Sequence, residues 1–152
     1  MTLREILQPN CVKVPLESKD KTSAITELVD LLDANGLLIN KETVLKAVLA
    51  REQHRSTGIG SRIAVPHGKC DAVKELVMAI GVAGEPIDFD SIDGNPVTII
   101  ILLASPANQT GPHIQALAKI SKLMLNEELK QRLEKATSPE EVYELMRNKE
   151  ED

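Results

Sequence analysis

Aromatic side chains are almost missing from this 152-residue chain, which has one Tyr, one Phe and no Trp. Its core must therefore be assembled from Leu, Ile, Val and Ala. A stacking platform for single-stranded nucleic acid, which needs several aromatic faces, is excluded. Basic charge is also short: 18 Lys and Arg stand against 23 Asp and Glu, for a net charge of −5. No electrostatic footprint for DNA or RNA is present. Cysteine is limited to Cys11 and Cys70, with no C-x-x-C spacing; a disulfide framework is ruled out, and both read as structural thiols. No apolar run approaches the ~20 residues of a membrane-spanning helix. The start, Met1-Thr2-Leu3-Arg4-Glu5, lacks the basic-then-apolar plan of a signal peptide. These absences point to a cytoplasmic protein with no nucleic-acid partner and no membrane insertion.

What is present reads as one ordinary globular domain over residues 1–152, with 42% apolar and 27% charged residues. A short helical lead-in closes at Pro9 and Asn10, and a brief strand follows at 11–16. Residues 20–35 carry Ala24, Ile25, Leu28, Val29, Leu31 and Leu32 at helical spacing, with Gly36 as the stop. Asn40 caps a second helix over 41–53, with Val44, Leu45, Val48 and Leu49 as its inner stripe. Strands are expected at 76–83 and 97–104. The second is β-branched and apolar on both faces, hence central to a covered sheet. Gly111-Pro112 opens a helix with proline at its first position, carrying Ile114, Leu117, Ala118, Ile120, Leu123 and Met124. Asn126 starts another. Ser138-Pro139-Glu140-Glu141 is a capping box for the last helix, expected to end near Arg147 with a frayed tail at 148–152. The expected class is α/β: a single domain whose helices alternate with strands around one covered sheet.

Between the second helix and the strand at 76, periodicity disappears. Residues 56–69 (Ser-Thr-Gly-Ile-Gly-Ser-Arg-Ile-Ala-Val-Pro-His-Gly-Lys) read as a long ordered loop with a short strand at 63–65. Two phosphate motifs fail here. A Walker A loop would need glycine at 63 and Ser or Thr at 70, where Ile63 and Cys70 stand, and a dinucleotide fingerprint would need its third glycine at Ile63. His67 remains, held between Pro66 and Gly68. It is either a nucleophile, since neutral imidazole attacks well near pH 7, or a backbone cap. A metal set of His67, Cys70 and His54 or His113 matches no standard zinc spacing, and none is expected. Arg51 is either a helix-end cation or a planar fork for phosphoryl oxygens. His113, in the first turn of its helix, should be neutral: a cap or surface residue, or a second imidazole beside the first. Lys69, Arg55 and Arg62 read as a solvated basic rim.

Taken together, Arg51-Glu52, Ser56-Thr57-Gly58-Ile59-Gly60 and Ile63-Ala64-Val65-Pro66-His67-Gly68-Lys69 resemble a known signature. It is that of the enzyme IIA components of the bacterial phosphoenolpyruvate-dependent phosphotransferase system, fructose/mannitol type, which includes the nitrogen-regulatory branch. The resemblance continues through Pro86-Ile87-Asp88-Phe89-Asp90, Asp93-Gly94-Asn95-Pro96-Val97 and the helix at His113. It implies a mixed β-sheet with helices on both faces. It makes His67 the phosphoryl acceptor, a candidate for tele (Nε2) phosphorylation, with Arg51 and His113 as catalytic partners. Ser56, Thr57, Gly58 and Gly60 would form the phosphoryl-binding loop. Arg62 departs from the pattern, because the family usually has glycine there. The implied activity is a carrier without cofactor or metal. His67 takes a phosphoryl group from an HPr-type phosphocarrier protein and passes it to a IIB component, or keeps it as a regulatory mark read by a target protein. No second domain accompanies it in these 152 residues, so the nitrogen-regulatory reading is preferred over sugar transport. A binding module that kept the fold and lost phosphotransfer is a third reading, disfavoured by intact Arg51, His67 and His113.

Overall fold

The apolar segment after Pro96 organises everything else. It forms the strand Val97–Ser105, and its residues alternate between two cores: Ile100, Leu102 and Ala104 face one, Ile99, Ile101 and Leu103 the other. A strand buried on both faces needs helices on both, and the chain supplies them. The structure, a computed structural model, describes residues 2–151. In chain order the elements are α1 (Leu3–Ile6), β1 (Leu7–Leu16), α2 (Lys21–Ala34), α3 (Lys41–His54), β2 (Gly58–Gly60), β3 (Ile63–Ala64) and β4 (His67–Lys69). Then come β5 (Val77–Ile87), β6 (Val97–Ser105), α4 (Thr110–Leu123), α5 (Glu127–Lys135) and α6 (Pro139–Glu151). The sheet order is β1-β5-β6-β3-β2, with β4 also paired to β6. Pairing is mixed: β5 runs antiparallel to β6, whereas β3 and β4 run parallel to it. Ile25, Leu28 and Leu32 of α2 and Val44 and Val48 of α3 cover one face; Ile120 of α4, Leu133 of α5 and Val142 of α6 cover the other. The mixed α/β sandwich expected from the sequence is the fold.

The caps that define α2 and α3 form as the residue types dictate. Asp20 accepts from the Ser23 amide at 2.8 Å and Asn40 from the Thr43 amide at 3.0 Å, while Gly36 ends α2 at φ +71°.

Several boundaries differ from the sequence expectation. The lead-in helix stops at Ile6, and Pro9 and Asn10 lie inside β1. The stretch at 56–69 holds the short strand expected at 63–65, as β3, and two more besides: β2 pairs with β3, and β3 and β4 pair with β6 far along the chain, pairings that local periodicity does not encode. Helix α4 begins at Thr110, so Pro112 is its third residue and Ile114 points to solvent, while His113 and Ala116 face inward. The capping box of α6 is half made. Ser138 Oγ accepts from the Glu141 amide at 3.2 Å, but the Glu141 carboxylate takes the Thr137 amide. Of the tail expected to fray, residues 148–151 are helical and residue 152 lies outside the described residues. Helix α6 continues to Glu151, and the Glu150 carboxylate accepts the Leu3 and Arg4 amides at 2.5 and 3.2 Å, tying the two chain ends together.

Candidate active site

The site begins with a close approach of backbones. A Cβ on Gly68 would lie 3.0 Å from the Val48 nitrogen and 3.2 Å from the Ala47 carbonyl carbon, so glycine lets β4 lie flat against α3. His67 pairs with Leu103 and Lys69 with Ser105. The imidazole of His67 is thereby set between the last turn of α3 and the first turn of α4.

His67 is half-buried. Its Nδ1 lies 2.8 Å from the Val65 carbonyl oxygen. A carbonyl only accepts, so Nδ1 carries the proton and Nε2 presents its lone pair. Burial depresses the proton affinity of the ring; the Val65 bond opposes this, and the Arg51 charge adds to the depression. The ring is neutral at pH 7.

His113 meets it edge-on, with ring centroids 5.4 Å apart and planes at 61°. Only 4% of His113 is exposed, so it is neither a surface residue nor a cap. Its Nδ1 lies 2.7 Å from Oγ of fully buried Ser105. That hydroxyl has no other acceptor among the described residues, so it donates to Nδ1 and leaves the His113 proton on Nε2. Burial, followed by the charges of His67 and Lys69, pushes the His113 pKa down to about 4. His113 is thus a neutral imidazole 5.4 Å from the first, with its N–H on Nε2.

Arg51, in the last turn of α3, donates one Nη1 hydrogen bond to the Arg55 carbonyl at 2.9 Å. That bond pins the guanidinium near His67 and leaves most of its five donors unused.

The glycine segment is built differently from a cradle. Ser56 Oγ donates to the Phe89 carbonyl at 2.5 Å and accepts the Gly58 amide at 3.0 Å. Thr57 gives both its amide (2.9 Å) and its hydroxyl (2.5 Å) to the Glu52 carboxylate. Gly58 is glycine because a Cβ would sit 2.3 Å from Ser91 Oγ. Gly60, at φ +94°, pairs with Ile63, whose own partner is Ile99, four residues along β6 from the partner of His67. At strand spacing those two partners lie about 13 Å apart along β6. The structure thus brings His67, His113 and Arg51 together, places Thr57 behind them and leaves Gly60 at the far end of the sheet.

Two residues that support the candidate site were not singled out by the sequence reading. Ser105 follows six apolar residues at the end of its strand, and Glu52 extends the Val44–Val48 stripe by one more turn; a polar residue on a buried face was the available signal in both cases. Of the basic rim, Arg62 is bound to Glu134 at 2.8 Å, and Lys69 reaches Thr110 Oγ1 at 3.3 Å. Among the described residues no group of three or more His, Cys, Asp or Glu side chains could hold a metal ion. No helix among the described residues is long and apolar enough to cross a membrane.

Comparison with known proteins gives a consistent picture. Residues 5–149 match the family described as "Phosphoenolpyruvate-dependent sugar phosphotransferase system, EIIA 2". The chain is 35% identical over 149 residues to a nitrogen regulatory protein of Klebsiella oxytoca, covering 96% of this chain and 90% of that one. It is 33% identical over 146 residues to the fructose-specific EIIABC component of Bacillus subtilis (strain 168), of which it spans 23%, with 96% of this chain covered. Among solved structures, Escherichia coli enzyme IIA mannitol, in complex with phosphorylated enzyme IIB mannitol, superposes with a TM-score of 0.80 at 25% identity, over 94% of this chain and 99% of that one.

Proposed function

The chain belongs to the EIIA type-2 family of the phosphoenolpyruvate-dependent sugar phosphotransferase system, and from that premise we propose that His67 is its phosphoryl acceptor and that Arg51 and His113 complete the catalytic group. The observation that carries this reading is the hydrogen bond from Nδ1–H of His67 to Val65, which leaves Nε2 bare and aimed away from the backbone. Nε2 attacks the phosphorus of a phosphohistidine on an HPr-type carrier. The new N–P bond forms as the donor's N–P bond breaks, and Nδ1 keeps its proton throughout. The transition state spreads charge over three equatorial oxygens, so positioning and electrostatic stabilisation do most of the work. The Arg51 fork and the His113 Nε2–H are the donors at hand. Ser56, Thr57 and Gly58 contribute by shaping the segment behind His67 rather than by touching phosphate, and Gly60 by forming the turn that leads into β3.

Two fates follow for the phosphoryl group. The regulatory one, in which phosphorylation changes what a target protein binds, is supported by the match to most of a nitrogen regulatory protein. Onward transfer to a fructose/mannitol-type IIB component is supported by the mannitol IIA–IIB complex. We favour the regulatory role; discharge of the phosphorylated protein by an added IIB component would establish the other. Both cysteines are free, as a reducing cytoplasm keeps them.

The acceptor is tested by incubation with phosphoenolpyruvate, enzyme I and the phosphocarrier. The parent protein should take one acid-labile label and His67→Ala none. Full labelling of that variant, or label that survives acid, would remove His67 from the role.

A further inference from the structure

Among the described residues Glu52 is the only buried carboxylate, 6% exposed, and phosphoryl transfer as described does not use it. A buried charge persists only where it is paired, and an apolar side chain would fill the same place on α3 at lower cost. Both oxygens are occupied. Oε1 accepts Thr57 Oγ1 at 2.5 Å; Oε2 accepts the Thr57 amide at 2.9 Å and the Lys21 ammonium at 2.7 Å. Thr57 passes the constraint on, because its carbonyl accepts the Val65 amide at 3.0 Å. The Val65 carbonyl in turn accepts Nδ1–H of His67. An unbroken ladder of hydrogen bonds therefore runs from a buried carboxylate to the nucleophilic ring.

We propose that Glu52, with Lys21 as its counter-ion, is a positioning residue for His67, which through Thr57 holds the Val65 carbonyl in place and so keeps the reactive lone pair on Nε2. The proposal rests on His67 being the phosphoryl acceptor. In water a neutral imidazole exchanges between its two tautomers, so the fixed one must be imposed by the protein. The charged and titratable groups around His67 are Arg51 and Glu52 from α3, Lys69 from its own strand, and His113 from α4; Lys21 of α2 lies behind Glu52 with Asp90 3.8 Å away. Glu52 is the one among them that favours protonation of His67, against burial, Arg51 and Lys69. It therefore also sustains the basicity that a nitrogen nucleophile needs.

The test is nitrogen-15 NMR of the histidine rings of the full chain at pH 8, with single-turnover phosphorylation by the loaded phosphocarrier. The parent should show His67 as one tautomer with the proton on Nδ1. Glu52→Gln keeps one acceptor and should show a mixed population, with the rate reduced about 10–100-fold, by analogy with loss of the outer partners of metal-binding histidines, and KM for the carrier unchanged. Because Glu52→Gln removes the buried charge opposite Lys21 and leaves that ammonium with the Phe89 carbonyl at 3.3 Å and Asp90 at 3.8 Å, the double variant Lys21→Met, Glu52→Leu is made alongside it; replacing a buried ion pair by apolar residues generally preserves folding. It should lose the tautomer preference altogether. A folded double variant with the parent's tautomer would overturn the proposal, whatever its rate. Label found on a residue other than His67 would instead overturn the acceptor assignment, and the tautomer measurement would still decide the role of Glu52.

Discussion

Protonating His113 would place a charge among Ser105, His67 and Lys69 in a space closed to water, and the ring resists it down to a pKa of about 4. The unfolded chain binds that proton near the ordinary value of 6.5. Above pH 6.5 both states are neutral and the residue has no effect on stability. Between 6.5 and 4 the unfolded chain takes up a proton that the folded one refuses, so stability falls as pH falls; below 4 the loss is complete. At about 1.4 kcal/mol per pKa unit the loss reaches up to about 3 kcal/mol. The depressed proton affinity of His67 adds to it in the same direction. Thermal melts between pH 7.5 and 4 should therefore show a steep decline, and His113→Gln should flatten it; an identical slope in the variant would mean that other groups set the acid limit. Arg51 answers to a different measurement. It is half-buried at a helix end, so Arg51→Ala should melt within a few degrees of the parent while losing ~10²–10³ in single-turnover rate, the cost of one charge-assisted donor. Arg51→Lys restores the charge without the fork and should recover only part of that loss. A normal rate in Arg51→Ala would make the residue a helix-end cation.

The turn between β2 and β3 carries Arg62, where the resemblance drawn from the sequence leads one to expect glycine. Arg62 stands there at φ +70°, after Ser61 at +56°. Left-handed backbone costs a non-glycine residue roughly 1–2 kcal/mol. Against that, the Arg62 fork grips both oxygens of Glu134 on α5 at 2.8 and 3.1 Å, and Glu134 also accepts Thr98 Oγ1 at 2.5 Å. The pair is partly exposed, with Arg62 at 42% and Glu134 at 21%, which limits its worth to about 1 kcal/mol. Glycine also costs about 0.5–1 kcal/mol in backbone entropy. The terms nearly cancel. Arg62→Gly should shift the melting temperature by no more than about 4 °C in either direction, whereas Glu134→Ala, which removes the shortest contact of both Arg62 and Thr98, should cost about 1–2 kcal/mol. A larger loss in Arg62→Gly than in Glu134→Ala would reverse this ranking. The same region shows what sequence conveys at the scale of elements. Helices α2 and α3 were legible because Asp20, Asn40 and Gly36 are local signals beside a periodic stripe. Strand β4 was not, since its three residues gain their structure from β6, distant in the chain. The end of α6 was hidden for the same reason: the groups that hold Glu150 belong to residues 3 and 4. The burial of His113 was masked by Ile114, an apolar neighbour that turned out to face solvent.

For the molecule as a whole, the site depends on two helices being held at fixed depth on opposite faces of one sheet, and two glycines separate that geometry from stability. At Gly68 an added methyl group would press on the α3 backbone, 3.0 Å from the Val48 nitrogen. At Gly81 it would press on the Leu16 side chain, 2.7 Å from both Cδ atoms. Each is an overpacking change with a typical cost of about 1–3 kcal/mol. The consequences for chemistry should diverge. Relief at Gly68 requires α3 and β4 to separate, and those two elements carry Arg51 and His67. Relief at Gly81 requires only that Leu16, on the adjacent strand β1, find another rotamer. Gly68→Ala should therefore lose phosphoryl transfer well beyond what its stability loss explains, at a temperature where it is still folded. Misplacement by about 1 Å can cost ~10² in rate. Gly81→Ala, matched to it in melting temperature, should transfer at nearly the parent rate. Equal rates in the two variants would mean that α3 moves with β4 as a unit, and that the spacing between Arg51 and His67 is set by the ladder through Glu52 and Thr57 rather than by the contact at Gly68.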